Sequence, residues 1–102
     1  AVFAVNDADV LTAMTATIRA RLNGVTLIGF NATEDTLGAI QIGRLNGVIS
    51  PSGSSLASAS ITAVASFLAG EEIEATYALD PLVINADAIE AVRGNCRPGQ
   101  SC

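Results

Sequence analysis

Carboxylates are the most numerous titratable groups in this sequence, and few other titratable groups accompany them. The chain has ten acidic residues and five arginines, and it has no histidine and no lysine. Glu71, Glu72 and Glu74 form the densest acidic cluster. Paired carboxylates can hydrolyse glycosides, but adjacent glutamates after Gly70 are typical of a solvated turn. No serine stands in a Gly-x-Ser-x-Gly context, and no histidine could act as its base. We therefore expect no catalytic residue, no cofactor and no enzyme activity.

Two short stretches place oxygen ligands at alternate positions, as some calcium sites do. They are Asn6-Asp7-Ala8-Asp9 and Asn85-Ala86-Asp87. Both lack the glycine and terminal glutamate of an EF-hand. Loop or helix-cap roles explain these residue types more simply, so we expect no metal site.

The two cysteines lie at the end of the sequence, in NCRPGQSC. Pro98 and Gly99 favour a turn between Cys96 and Cys102. This pattern favours an intrachain disulfide, with an interchain disulfide and free thiols as alternatives. Two cysteines without histidine are too few to hold zinc. We predict one domain over residues 1–95, a cysteine-closed tail over residues 96–102, and an extracellular or cell-surface location.

Composition limits the classes of partner. The net charge is −5 and the arginines are scattered, so the chain lacks the basic patch of a nucleic-acid-binding protein. No apolar run reaches the ~20 residues that cross a bilayer. Half the residues are apolar but only 4% are aromatic, which predicts a thin core. Contact with further copies of the chain would bury more surface, so we expect a homo-oligomer.

The word RLNGV occurs twice, at residues 21–25 and 44–48. The first copy begins within residues 14–22, a segment in which apolar and polar residues alternate strictly, as in a half-buried strand. Asn-Gly between two such runs is a strong hairpin signal. We therefore predict hairpin turns at Asn23-Gly24 and Asn46-Gly47.

Alternation recurs over residues 57–67 and 73–79, which predicts further strands. The fold predicted is all-β, a jelly roll or β-sandwich of about eight short antiparallel strands. A helical alternative remains, because Leu11, Met14, Ile18 and Leu22 also fit spacings of three and four. Threonine and serine in these segments argue against helix.

Residues 57–79, ASASITAVASFLAGEEIEATYAL, resemble one stretch of C1q/TNF-like jelly rolls, in which a corner such as Leu68-Ala69-Gly70-Glu71 joins two strands. Residues 40–56, IQIGRLNGVISPSGSSL, are similar to the preceding hairpin and loop in bacterial collagen-like surface proteins. The resemblance implies a trimeric extracellular module.

The function expected from these features is self-assembly into a trimer, filament or surface layer. Candidate self-association residues are Val2, Phe3 and Val5 on an apolar terminal strand, with Val64 and Leu68 beside serines. One alternative is a monomeric secreted module that binds a carbohydrate or protein through loops such as residues 30–36 or 50–55. Another is a small secreted helical effector or inhibitor.

Overall fold

The computed structural model describes residues 1–94 and shows an α/β domain. The prediction of an all-β jelly roll or sandwich is therefore wrong. Two segments expected to be strands are helices, and the resemblance to C1q/TNF-like domains fails with them. The elements, in chain order, are β1 (Val2–Phe3), α1 (Asp7–Arg19), β2 (Leu27–Phe30), α2 (Glu34–Gln41), β3 (Gly47–Pro51), α3 (Gly53–Leu68), β4 (Pro81–Ile84) and α4 (Ile89–Arg93).

The strands form one sheet in the order β1-β2-β3-β4. The pairs β1–β2 and β2–β3 are parallel, and β3–β4 is antiparallel. Helices α1 and α2 are the crossovers between parallel neighbours. Crossovers are nearly always right-handed, so two successive ones in the same direction place both helices on one face of the sheet.

Buried side chains confirm that one face of the sheet is covered. Successive residues of a strand point to opposite faces, and the buried positions of β3 are Val48 and Ser50, which share a face. Val10 of α1 packs against Gly29 of β2 so closely that a Cβ on Gly29 would lie 2.6 Å from Val10 Cγ1. The core on this face contains Ala4, Val10, Leu27, Ala32, Leu37, Ala39, Ile40, Leu45, Val48, Ile84 and Ile89.

Helix α1 shows why alternation misled the strand prediction. Its threonines, expected to disfavour helix, donate their hydroxyls back to helix carbonyls: Thr12 to Ala8 at 2.9 Å and Thr15 to Leu11 at 2.9 Å. Asn6 caps the helix, because its Oδ1 accepts from the Asp9 amide at 2.7 Å. Of the residues at spacings of three and four, Leu11, Met14 and Ile18 lie in α1, and Leu22 lies beyond its end. The alternation was incidental.

The two RLNGV words join a helix to a strand, so the predicted hairpins are wrong. Asn23 and Gly24 lie between α1 and β2, and Asn46 and Gly47 lead from α2 into β3. Both helices end in a Schellman motif. In α2 its left-handed residue is Gly43, with φ +71°, whereas in α1 it is Arg21, with φ +53°.

Helix α3 and the returning segment, residues 71–80, project from the sheet; we call residues 52–80 the arm. No residue of α3 is buried. The Cα radius of gyration is 16.5 Å, against about 13 Å for a compact domain of this length. No helix within residues 1–94 is long and apolar enough to cross a membrane.

Candidate functional site

Three parallel strands end at one edge of the sheet, and a loop follows each strand there. In open α/β sheets, ligands bind outside the carboxyl ends of the parallel strands. The loops are residues 4–6 after β1, residues 31–33 after β2 and Ser52 after β3. We call this region the carboxyl edge, and it is the candidate site.

The loop after β1 is fixed by Asn6. This residue is the N-cap of α1, and its Nδ2 also donates to Asp9 Oδ2 at 2.9 Å. The Ala4 amide still pairs with the Ile28 carbonyl at 2.9 Å, so the loop begins directly beside β2. Cap formation accounts for Asn6 and Asp9 without a cation. Within residues 1–94, no three His, Cys, Asp or Glu side chains form a group that could hold a metal.

The loop after β2 makes the sharpest turn at this edge. Asn31 has φ +81°, a left-handed conformation that few residues other than glycine adopt. Its amide donates to the Ile49 carbonyl at 2.8 Å. Phe30, before it, is 37% exposed although it ends a central strand. Thr33 then starts α2 through a capping box with Thr36. The turn therefore holds an exposed aromatic ring and an amide side chain at the edge.

Ser50 ties this loop to β3. The side chain is 1% exposed, and its Oγ accepts from the Ala32 amide at 3.2 Å. Ser52 follows as the N-cap of α3, and its Oγ lies 2.8 Å from the Ser54 Oγ. Hydroxyl groups thus hold the second and third loops together and extend along the edge.

Charge is divided between the two edges of the sheet. The first turns of α1 and α2 carry Asp7, Asp9, Glu34 and Asp35, so the carboxyl edge is acidic. Three of the five arginines lie at or just after the carboxyl-terminal ends of these helices, at the opposite edge: Arg19, Arg21 and Arg44. Acidic side chains stabilise the amino-terminal end of a helix, and basic side chains stabilise the carboxyl-terminal end. An acidic edge of amides and hydroxyls suits a neutral polyhydroxylated ligand and disfavours an anionic one.

Arg93 of α4 pairs with one of these carboxylates. Its guanidinium lies 3.2 Å from Glu34 Oε1 and also donates to Gln41 Oε1. These contacts join α4 to α2. Both side chains of the ion pair are partly exposed, so the pair adds little stability.

The other concave surfaces offer less chemistry. One open groove on α1 is lined by Thr12, Thr15, Ala16, Arg19 and Ala20. Both threonine hydroxyls already donate within the helix. Two further grooves run along α3 and are lined mainly by apolar side chains, which include Val64, Leu68 and Phe67.

The residues singled out from the sequence fall in separate places. Asn23, Gly24, Asn46 and Gly47 lie at the opposite edge from the candidate site. Val2 and Phe3 form the edge strand β1, and Val5 follows it; Val64 and Leu68 lie on α3 and are exposed. Their role in self-association stays a prediction. Cys96 and Cys102, with the predicted disulfide and tail, lie outside the described residues. Glu71, Glu72 and Glu74 lie on the arm and are exposed.

The two loops named for the binding alternative, residues 30–36 and 50–55, do meet at the carboxyl edge. Nothing in the sequence pattern joined these loops to Asn6, because their proximity depends on the parallel topology. The positive φ of Asn31 was also missed. Its sequence signal is weak: a small polar residue followed by a Thr-x-x-Thr start to a helix.

No protein-family model and no curated protein sequence matches this chain. A solved structure has a similar fold: an ABC transporter periplasmic solute-binding protein from Actinobacillus succinogenes with bound D-allose. The two chains are 23% identical, the TM-score is 0.76, and the match covers 87% of this chain but only 32% of the other. This likeness shows the fold, and it overturns the jelly-roll resemblance. It lends no support to a homo-oligomer.

Proposed function

We propose that this chain binds a neutral sugar at the carboxyl edge of β1–β3, outside the cytoplasm. The observation that carries the proposal is the meeting of three polar loops at the ends of three adjacent parallel strands. Asn6, Asn31 and Ser52 mark these loops, and amide and hydroxyl groups are the donors and acceptors that sugar hydroxyls pair with. The fold is similar to that of a solute-binding protein whose structure contains D-allose.

The acidic charge of the edge sets the ligand's charge. Asp7 and Asp35 lie in the first turns of the two neighbouring helices and, unlike Glu34, form no ion pair within residues 1–94. Carboxylates accept hydrogen bonds from pairs of sugar hydroxyls. The same carboxylates repel a phosphate or a carboxylate ligand. Binding without catalysis is part of the proposal, since the chain contains no histidine or lysine.

Isothermal titration calorimetry with D-allose, D-glucose and glucose 6-phosphate tests this proposal. We expect a neutral sugar to bind, and the phosphorylated sugar to bind at least ~10-fold more weakly because the carboxylates repel its phosphate. A tenfold difference in affinity corresponds to about 1.4 kcal/mol. The variant Asn31→Gly keeps the left-handed turn and removes the amide, so it should lose most of the affinity.

Asn23→Ala, at the opposite edge, is the control and should bind as the unmodified chain does. Tighter binding of glucose 6-phosphate would contradict the charge argument. Equal affinities of Asn31→Gly and Asn23→Ala would show that the carboxyl edge is not the site.

A further inference from the structure

Two apolar surfaces of this domain have no partner among the described residues. The first is the sheet face opposite α1 and α2, which carries Phe3, Ile28, Phe30, Ile49 and Val83. Strand register places these residues on one face, since Phe3 pairs with Ile28, Phe30 with Ile49, and Ile49 with Val83. Phe3 is 57% exposed and Val83 is 68% exposed. Sheets of parallel strands are normally covered on both faces.

The second surface is helix α3 of the arm. Helix α3 has no charged residue, and Leu56, Ile61, Val64, Phe67 and Leu68 are all at least half exposed. A helix of this composition gains its stability in water from packing. The arm also leaves the sheet after Pro51 and returns at Pro81, and these two residues pair. It therefore projects from the carboxyl edge.

We propose that both surfaces dock against a further α/β portion of the same polypeptide. The comparison structure supplies the argument for this occupant: the match includes nearly all of the present chain and only 32% of the other, so most of that α/β protein lies outside the match. An apolar sheet face and an uncharged helix, α3, suit the interior of one larger protein, in which further elements cover both.

A second copy of the chain fits these surfaces less well. Each copy carries a net charge of −5, so two copies repel each other. A symmetric dimer uses one patch twice, whereas the sheet face and the arm are separate surfaces. A further portion of the polypeptide can cover both surfaces at once.

Thiol labelling tests the proposal and does not depend on any ligand. Single cysteines are placed at Val83 on the sheet face, at Val64 on the arm and at Thr15 on the outer face of α1, with Cys96 and Cys102 replaced by serine. Each variant is made in two forms: the 102-residue chain and the product of the complete open reading frame that contains it. The measured quantity is the rate of reaction with a water-soluble maleimide.

We expect Val83→Cys and Val64→Cys to react at least ~10-fold more slowly in the complete product, because burial lets a thiol react only when the surface opens. Thr15→Cys should react at the same rate in both forms. Equal rates for all three variants, or a reading frame that adds no further α/β segment, would overturn the proposal. Protection within the 102-residue form that grows with its concentration would also overturn it, by showing that a second copy is the occupant.

Discussion

Asn46 and Asn23 occupy the same position in the two RLNGV words, yet the structure gives them different roles. The side-chain Oδ1 of Asn46 accepts from the Leu27 backbone amide at 2.8 Å, and the backbone amide of Asn46 donates to the Leu27 carbonyl at 3.0 Å. These bonds hold the start of β2 to the start of β3. Asn23 is exposed, and no hydrogen bond described for residues 1–94 uses its side chain. The same substitution should therefore have unequal effects at the two positions.

Asn46→Ala removes the acceptor of the Leu27 amide, and Leu27 is only 2% exposed. An unsatisfied buried donor costs about 1–3 kcal/mol, so we expect the free energy of unfolding to fall by ~2 kcal/mol. Asn23→Ala should change it by less than ~0.5 kcal/mol, as exposed substitutions usually do. Urea unfolding followed by circular dichroism measures both values.

Asn46→Asp keeps an oxygen acceptor and should recover most of the loss. If Asn46→Ala and Asn23→Ala destabilise the chain equally, the reasoning from this hydrogen bond is refuted.

Three further predictions concern the packing and ends of the helices. Gly29→Ala should destabilise the chain by ~1–3 kcal/mol, because the added Cβ would overlap the buried side chain of Val10. Gly38→Ala, which has open space around it, should stabilise α2 by ~0.5–1 kcal/mol. Urea unfolding measures both changes, and an unchanged free energy of unfolding for Gly29→Ala would contradict the packing. Arg21→Gly should raise the melting temperature slightly, because glycine adopts the left-handed conformation without the strain that a side chain causes. The net stabilisation is ~0.5 kcal/mol after the entropy cost of glycine. A lower melting temperature would argue against that conformation. Thr33→Ala should lose ~1 kcal/mol of cap energy in thermal unfolding while Thr33→Ser retains it, and equal losses would exclude the capping box.

The sequence indicated the loops of the candidate site more successfully than the fold. Composition indicates a loop over residues 50–55, and the binding alternative names residues 30–36 as a second loop. Of these, only residues 31–33 and Ser52 lie outside the strands and helices, and both lie at the carboxyl edge. Turn chemistry is local, so it can be recognised without knowing what the loop connects. Their neighbour Asn6 was assigned a loop or cap role, and it does cap α1.

The secondary structure could not be predicted from alternation alone. In α1 and α3, small residues, threonines and serines satisfy both the strand period and the helix period, so the pattern is ambiguous. Contacts distant in sequence decide between the two, as when Val10 packs on Gly29. In α3, which has no buried residue, the intrinsic helix preference of alanine and the Ser52 cap favour the helix. The parallel topology, and with it the carboxyl edge, depends on α1 and α2 being helices.

Sugar binding at the carboxyl edge is tested most directly by nuclear magnetic resonance. D-allose is added to the isotopically labelled chain, and amide chemical-shift changes are mapped onto the structure. The account predicts saturable changes concentrated at residues 5–7, 30–33 and 50–52. Changes confined to the groove on α1 around Thr12 and Arg19, or no changes at saturating sugar, would contradict it.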